Sequence, residues 1–134
     1  MNMPTSTAIK EDYRKDAFDM LESALQWFQS MESYAQDDIY NSHYGSFFVT
    51  AHDEIRRNIK EMIDDYKAVK NLDYVIRDAY YARKTLEADL LGGVREAKPY
   101  WQYVTNIEIN LKSAKFYFVF DERYNPIHKE GNIA

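Results

Sequence analysis

Along the first quarter of the chain, apolar residues return at alternating steps of three and four: Ala17, Met20, Ala24, Trp27, Met31 and Tyr34. Leu21, Leu25, Phe28 and Ala35 widen this stripe on one side. The spacing predicts a helix over about 9–35 that packs by a broad face into a core, not by a narrow two-helix seam. Glu11 and Asp12 lie near its start, where the helix dipole favours negative charge. Asp37-Asp38 and then Asn41-Ser42-His43-Tyr44-Gly45 predict its end and a connecting loop.

A second stripe, Phe48, Ala51, Ile55, Ile59, Met62, Tyr66 and Val69, begins near Ser46, and a third, Leu72, Val75, Ile76, Ala79, Ala82, Leu86 and Leu90, runs to Leu91. Gly92-Gly93 is the stop signal, because glycine accepts the left-handed conformation that ends helices. No Gly or Pro interrupts 46–91, so one long helix and two helices joined at Lys70-Asn71 both fit. The turn is preferred, since helices beyond about 25 residues are uncommon in small domains.

After Gly93 the period changes. Trp101, Tyr103, Thr105, Ile107, Ile109 and Leu111 occupy odd positions, with Gln102, Asn106, Glu108 and Asn110 between them. Alternation among β-branched and aromatic residues predicts a half-buried strand over 101–111. Helical spacing is also present, in Trp101, Val104, Ile107, Leu111 and Ala114, but residue types favour the strand. Phe116–Phe120 is expected to form a second strand, 121–126 a turn, and 126–129 a short edge strand. The expected fold class is therefore α+β: two or three long N-terminal helices (about 8–92) packed on a small C-terminal antiparallel β-meander (about 100–130). The 134 residues make one domain, 1–134.

Composition narrows the classes. Twenty-one aromatic residues (7 Phe, 12 Tyr, 2 Trp) argue against a disordered chain, and the 4 Gly and 3 Pro against low-complexity or collagen-like structure. The absence of Cys removes disulfides, thiol nucleophiles and thiolate metal sites. The N-terminus lacks the basic start and apolar run of a signal peptide, and no segment approaches the roughly 18–20 apolar residues of a membrane span. A cytoplasmic protein that does not engage membranes is expected.

Charge changes the picture most. The 40 residues between Lys15 and Arg56 contain no Lys or Arg but hold Asp16, Asp19, Glu22, Glu32, Asp37, Asp38, Asp53 and Glu54. That stretch carries −8 against −5 for the chain, which leaves +3 elsewhere. Such segregation repels phosphate and attracts basic surfaces, so direct nucleic-acid binding is not expected. Tyr34, Tyr40 and Tyr44 lie in or beside it, and tyrosine supplies large contact area at low entropic cost. The candidate partner-binding residues are Asp16, Asp19, Glu22, Glu32, Tyr34, Asp37, Asp38, Tyr40 and Tyr44. The bland alternative is a solvated helix face balanced by neighbouring cations.

Catalytic chemistry finds little footing. His43, His52 and His128 form no E-x-x-H or H-E-x-x-H arrangement. Asp19/Glu22 and Glu61/Asp64 have the i,i+3 spacing of carboxylates that hold a divalent cation, but such pairs are common by chance. Arg123–His128 has the R-x4-H spacing found in helical ribonucleases of the HEPN type, with Pro126 inside it in a segment expected to be turn and strand. No Gly-rich phosphate loop is present. No catalytic residue, metal or cofactor is assigned. The leading expectation is a non-enzymatic protein that docks an acidic helix and loop (about 16–54) on a basic, nucleic-acid-type surface of a partner, such as a nucleic-acid-binding enzyme. An inhibitor, immunity or anti-defence protein acts this way, and phage accessory proteins share this kind of composition. The alternatives are a structural subunit that forms a homodimer or larger oligomer through its long helices, and a helical carboxylate-Mg²⁺ nucleotide hydrolase.

Overall fold

The computed structural model describes residues 4–38 and 42–121; of residues 4–12 and 42 it describes the backbone alone. The elements are α1 (Pro4–Asp37), α2 (Ser42–Ala51), α3 (Asp53–Asp64), a 3-10 turn (Tyr66–Asn71), α4 (Leu72–Leu91) and α5 (Ala97–Val119). Among the described residues there is no strand.

Four of these helices close a ring. Phe18 meets Phe118 at 5.4 Å and Tyr34 meets Tyr100 at 5.5 Å, so α1 and α5 run antiparallel. Asp73 pairs with Lys115 at 2.7 Å and the Trp101 indole N–H donates to Glu87 at 3.1 Å, so α4 and α5 do too. Arg56 of α3 reaches Glu32 near one end of α1, and the Arg14 guanidinium lies 3.8 Å from the Tyr66 ring centre near the other. With α3 also packed on α4, the order α1–α3–α4–α5 returns to α1 as an up-down-up-down four-helix bundle. The short helix α2 lies over one end, where Tyr44 and Phe48 pack against Tyr100.

The core is the set of stripes facing inward. Leu21, Phe28 and Met31 of α1 meet Ile59 and Met62 of α3, Val75, Ala79 and Leu86 of α4, and Tyr100, Ile107, Leu111 and Phe118 of α5. Leu72–Leu91 forms the helix its stripe predicts. Its end is a Schellman motif: Val94 N–H donates to Asp89 O, Gly93 N–H donates to Leu90 O, and Gly93 sits at φ 90°.

The β-meander is corrected. Residues 97–119 are one helix, which takes in the expected strand at 101–111 and all but the last residue of the one at 116–120. Its buried positions, Ala97, Tyr100, Val104, Ile107, Leu111, Ala114 and Phe118, return every three or four residues. The alternation at odd positions is incidental, because Ile109 is exposed and Trp101, Tyr103 and Thr105 are half-buried on its flanks. The Thr105 hydroxyl donates to Trp101 O at 2.7 Å, the helical i−4 bond open to a threonine. Three apolar neighbours to pack against outweigh the weak strand preference of β-branched residues. Pro99, in the first turn, is the one local sign of a helix start. The expected stretch from Ser46 to Val69 is also divided, at His52 and at Asp65, into α2, α3 and the 3-10 turn. The expected edge strand at 126–129 and the Arg123–His128 spacing lie outside the described residues. The strand context set against that spacing does not hold upstream of it, where the chain is helical.

One buried ionic cluster ties α4 to α5. Arg83 donates to Glu108 and, at 2.7 Å, to Glu87, while Lys112 reaches Glu108 at 2.9 Å. Glu108 is 3% exposed. Burial pushes its carboxyl up, but Arg83 and Lys112 outweigh burial and hold it below the usual range.

Candidate functional site

Helix α1 leaves a polar outer face once Leu21, Ala24, Phe28, Met31 and Ala35 are turned inward. Asp19 and Glu22 stand exposed on it, Asp19 paired with Lys15 at 3.1 Å, and Asp16 is half-buried. Asp37 is exposed 15 residues beyond Glu22, about 22 Å along the axis. Between them the exposed positions are Gln26, Trp27, Gln29, Ser30, Ser33 and Gln36, all uncharged. Glu32 is half-buried against Arg56 at 3.6 Å; burial raises its pKa, Arg56 opposes this, and Asp53 adds to it. Arg56 and Arg57 also hold Asp53 at 2.9 and 3.0 Å. The acidic stretch of the sequence is therefore two separated patches in space, with cations on three of its members.

The tyrosines divide as well. Tyr44 is half-buried and donates to Asp89 of α4 at 2.6 Å, which makes it a bundle contact. Tyr40 lies outside the described residues. Tyr34 is half-buried, its ring edge-to-face with Tyr100 at 5.5 Å and tilted against Tyr103 at 5.9 Å. Its hydroxyl is bonded to Asp38; burial first, and then that carboxylate, raise its pKa.

Tyr34 also lies where the surface is concave. Between α1 and α5 a cavity of about 620 Å³ is lined by Trp27, Tyr34, Pro99, Trp101, Gln102, Tyr103, Thr105 and Asn106. A second, of about 600 Å³, shares Tyr34 and Tyr103 with it and is completed by Gln26, Gln29, Ser30, Ser33 and Asp37. A third, of about 400 Å³, shares Trp101 and opens toward α4 over Glu87, Leu90, Leu91 and Lys98. The first two merge through Tyr34 and Tyr103 into a trough between α1 and the first half of α5, and Trp101 stands between it and the third, on the α4 side. Both tryptophans of the chain line the trough. Trp27 packs on Tyr103 at 6.2 Å and remains 37% exposed. The α1 side is lined by a carboxylate, amides, hydroxyls and aromatic faces, with no Lys or Arg. Glu87, at the α4 side, is held below the usual carboxyl range first by the Trp101 indole N–H and then by Arg83.

Of the candidate residues, the trough gathers Tyr34 and Asp37, with Asp38 bonded behind Tyr34. It does not gather Asp16, Asp19, Glu22 or Glu32. Trp27, Trp101 and Tyr103 are additions. Read as a helix, 97–119 places Trp101 and Tyr103 on either side of the buried Tyr100–Val104 line, which would have marked them as boundary aromatics. Among the described residues, no group of three or more His, Asp or Glu is placed to hold a metal ion, so the Asp19/Glu22 and Glu61/Asp64 pairs stand alone. No described helix is long and apolar enough to cross a membrane.

Beneath the trough, Tyr100 is fully buried and its hydroxyl has no hydrogen-bond partner among the described residues. Burial and the nearby Asp38 push its pKa up to about 12. A buried hydroxyl without a partner costs about 1–3 kcal/mol. Tyr100→Phe is expected to raise stability by about 1 kcal/mol in urea unfolding; an equal loss would mean that the hydroxyl is bonded in solution. Comparison with family profiles, curated proteins and solved structures gave no match.

Proposed function

We propose that this is a non-enzymatic protein-binding protein that seats a segment of a basic partner on its α1–α5 face. The supporting observation is that both tryptophans, with Tyr34 and Tyr103, line adjoining cavities whose α1 side carries Asp37 and no cation. Tryptophan and tyrosine in a concave setting are the residues that dominate interface energetics. The exposed Asp19 and Glu22 patch adds long-range attraction for the same kind of partner, raising the rate of encounter more than the final affinity. An inhibitor, immunity or anti-defence protein fits this pattern, and a nucleic-acid-binding enzyme is a suitable owner of the basic surface. The lack of Cys suits action in the cytoplasm.

The test begins with affinity purification from the native host, and the captured partner is then titrated against variants. Trp27→Ala and Tyr103→Ala are each expected to weaken binding about thirtyfold, close to 2 kcal/mol. Their helical circular dichroism should stay unchanged, because both residues lie at the surface of the bundle. Binding should also weaken as salt rises. A partner that ignores both substitutions and salt would refute the proposal.

A further inference from the structure

We infer that the third cavity, on the α4 side of Trp101, is a separate site for a small free carboxylate with an apolar body, of the kind a medium-chain fatty acid presents. It does not depend on the role proposed for the α1–α5 trough. Its volume of about 400 Å³ lies at the lower end of the range of about 300–1,000 Å³ for small-molecule sites. Its apolar wall is Leu90, Leu91 and the Trp101 ring, and Leu91 is 91% exposed, so nearly a whole leucine side chain is left to be covered. Two charged residues, Glu87 and Lys98, complete it.

The two charges are not equivalent. Glu87 is already taken: it accepts from Arg83 at 2.7 Å and from the Trp101 indole N–H at 3.1 Å, and Lys84 lies 3.4 Å from its other oxygen. The indole bond also fixes the ring that walls the cavity. Lys98 is exposed, and its ammonium meets no carboxylate among the described residues. It is the second residue of α5, where the helix dipole adds positive potential. Asp89 and Glu96, the nearest other acids along the chain, lie on the Tyr44 side: Asp89 accepts the Tyr44 hydroxyl, and the charge of Glu96 acts on that same hydroxyl.

The cavity thus offers apolar contact and one uncompensated positive charge. A cation is repelled by Lys98 and finds Glu87 occupied. A phosphate would look for several donors, but the Ala97 and Lys98 N–H groups donate to Val94 O and Arg95 O, and Pro99 has no N–H. One ammonium matches one carboxylate. The walls belong to two helices whose main chains are bonded internally, so a peptide end finds no main-chain partner there, and a fatty acid needs none.

The experiment titrates octanoate into the full-length Trp27→Phe chain, in which Trp101 is the one remaining tryptophan. A saturable change in Trp101 emission is expected below the concentration at which octanoate forms micelles. Octanol should bind several-fold more weakly, and octylammonium should not bind measurably. Lys98→Gln should weaken octanoate about fivefold and leave octanol unchanged. Leu91→Ser should weaken both. Both positions are exposed, so helical circular dichroism should be that of the parent. No saturable change overturns the inference, as does octanol binding as tightly as octanoate, or Lys98→Gln with parent affinity. A short peptide ending in leucine that binds more tightly than octanoate, and loses this when its carboxylate is amidated, would assign the cavity to a chain end and overturn the free-ligand assignment. Tyr103→Ala, which tests the docking role, should leave octanoate binding unchanged; a loss there would merge the two sites and overturn the inference.

Discussion

Replacing Glu108 by Ala is expected to cost about 3 kcal/mol of stability, the low end of the range for removing one partner of a buried ion pair. Arg83 is only partly exposed and would keep Glu87 alone, while Lys112 would lose its partner in the cluster. Glu108→Gln, which keeps the shape and one acceptor, should cost about half as much. The loss should carry a pH signature. Glu108 and Glu87 are both held below the ordinary carboxyl value of 4.5 in the folded chain. A carboxyl so held stabilises the fold fully above its unfolded value and loses that contribution as pH falls through its folded value. Parent stability should therefore fall as pH drops below about 4.5, and Glu108→Gln should flatten the fall. Glu32 has the opposite sign, since burial raises it: its contribution is complete below 4.5 and fades as pH rises through its folded value. Glu32→Gln should steepen the acid limb. Urea unfolding between pH 3 and pH 7 reads all three. A Glu108→Gln curve parallel to the parent would show that the cluster is not what couples α4 and α5 to pH.

Gly45→Ala should be destabilising by about 2–3 kcal/mol, although alanine is the better helix former by about 1 kcal/mol and Gly45 lies within α2. A Cβ there would overlap the hydroxyl oxygen and Cζ of Tyr100 and come within 3.1 Å of the Ala35 Cβ. Tyr100 is fully buried, with its ring against Tyr34, Tyr44 and Phe48, and cannot move aside without opening the end of the bundle. The substitution thus pries α2 away from α1 and α5. Combining it with Tyr100→Phe should recover part of the loss, because the hydroxyl is one of the two overlapping atoms and Cζ remains. A double-mutant cycle in thermal unfolding measures that coupling. Gly45→Ala with parent stability would mean that α2 does not rest on Tyr100 in solution.

The α1 and α4 stripes were readable because their apolar steps of three and four admit only one regular structure, and Gly92-Gly93 punctuates the second. The 97–119 segment was misread because Trp101, Tyr103, Thr105, Ile107, Ile109 and Leu111 satisfy both periods at once. Strand preference then chose wrongly between them. The same misreading hid the place of Trp101 and Tyr103 in the candidate site. A strand puts Trp101 and Tyr103 on one face with Ile107, whereas the helix sets them at the edges of its buried stripe, where they meet Trp27 and Tyr34 of α1. Tyr34 and Asp37 were legible through residue type and charge.

Periodicity and punctuation along the chain were enough for the inward faces of α1 and α4, the absence of Cys chemistry and the lopsided ionisation of residues 16–55, because each is a property of neighbours in sequence. The helical state of 97–119, the Arg56 contact that neutralises part of the acidic stretch, and the gathering of two tryptophans into one trough depended on which helices lie side by side. That choice comes from burial shared among α1, α3, α4 and α5, a long-range quantity that no local window of residues contains.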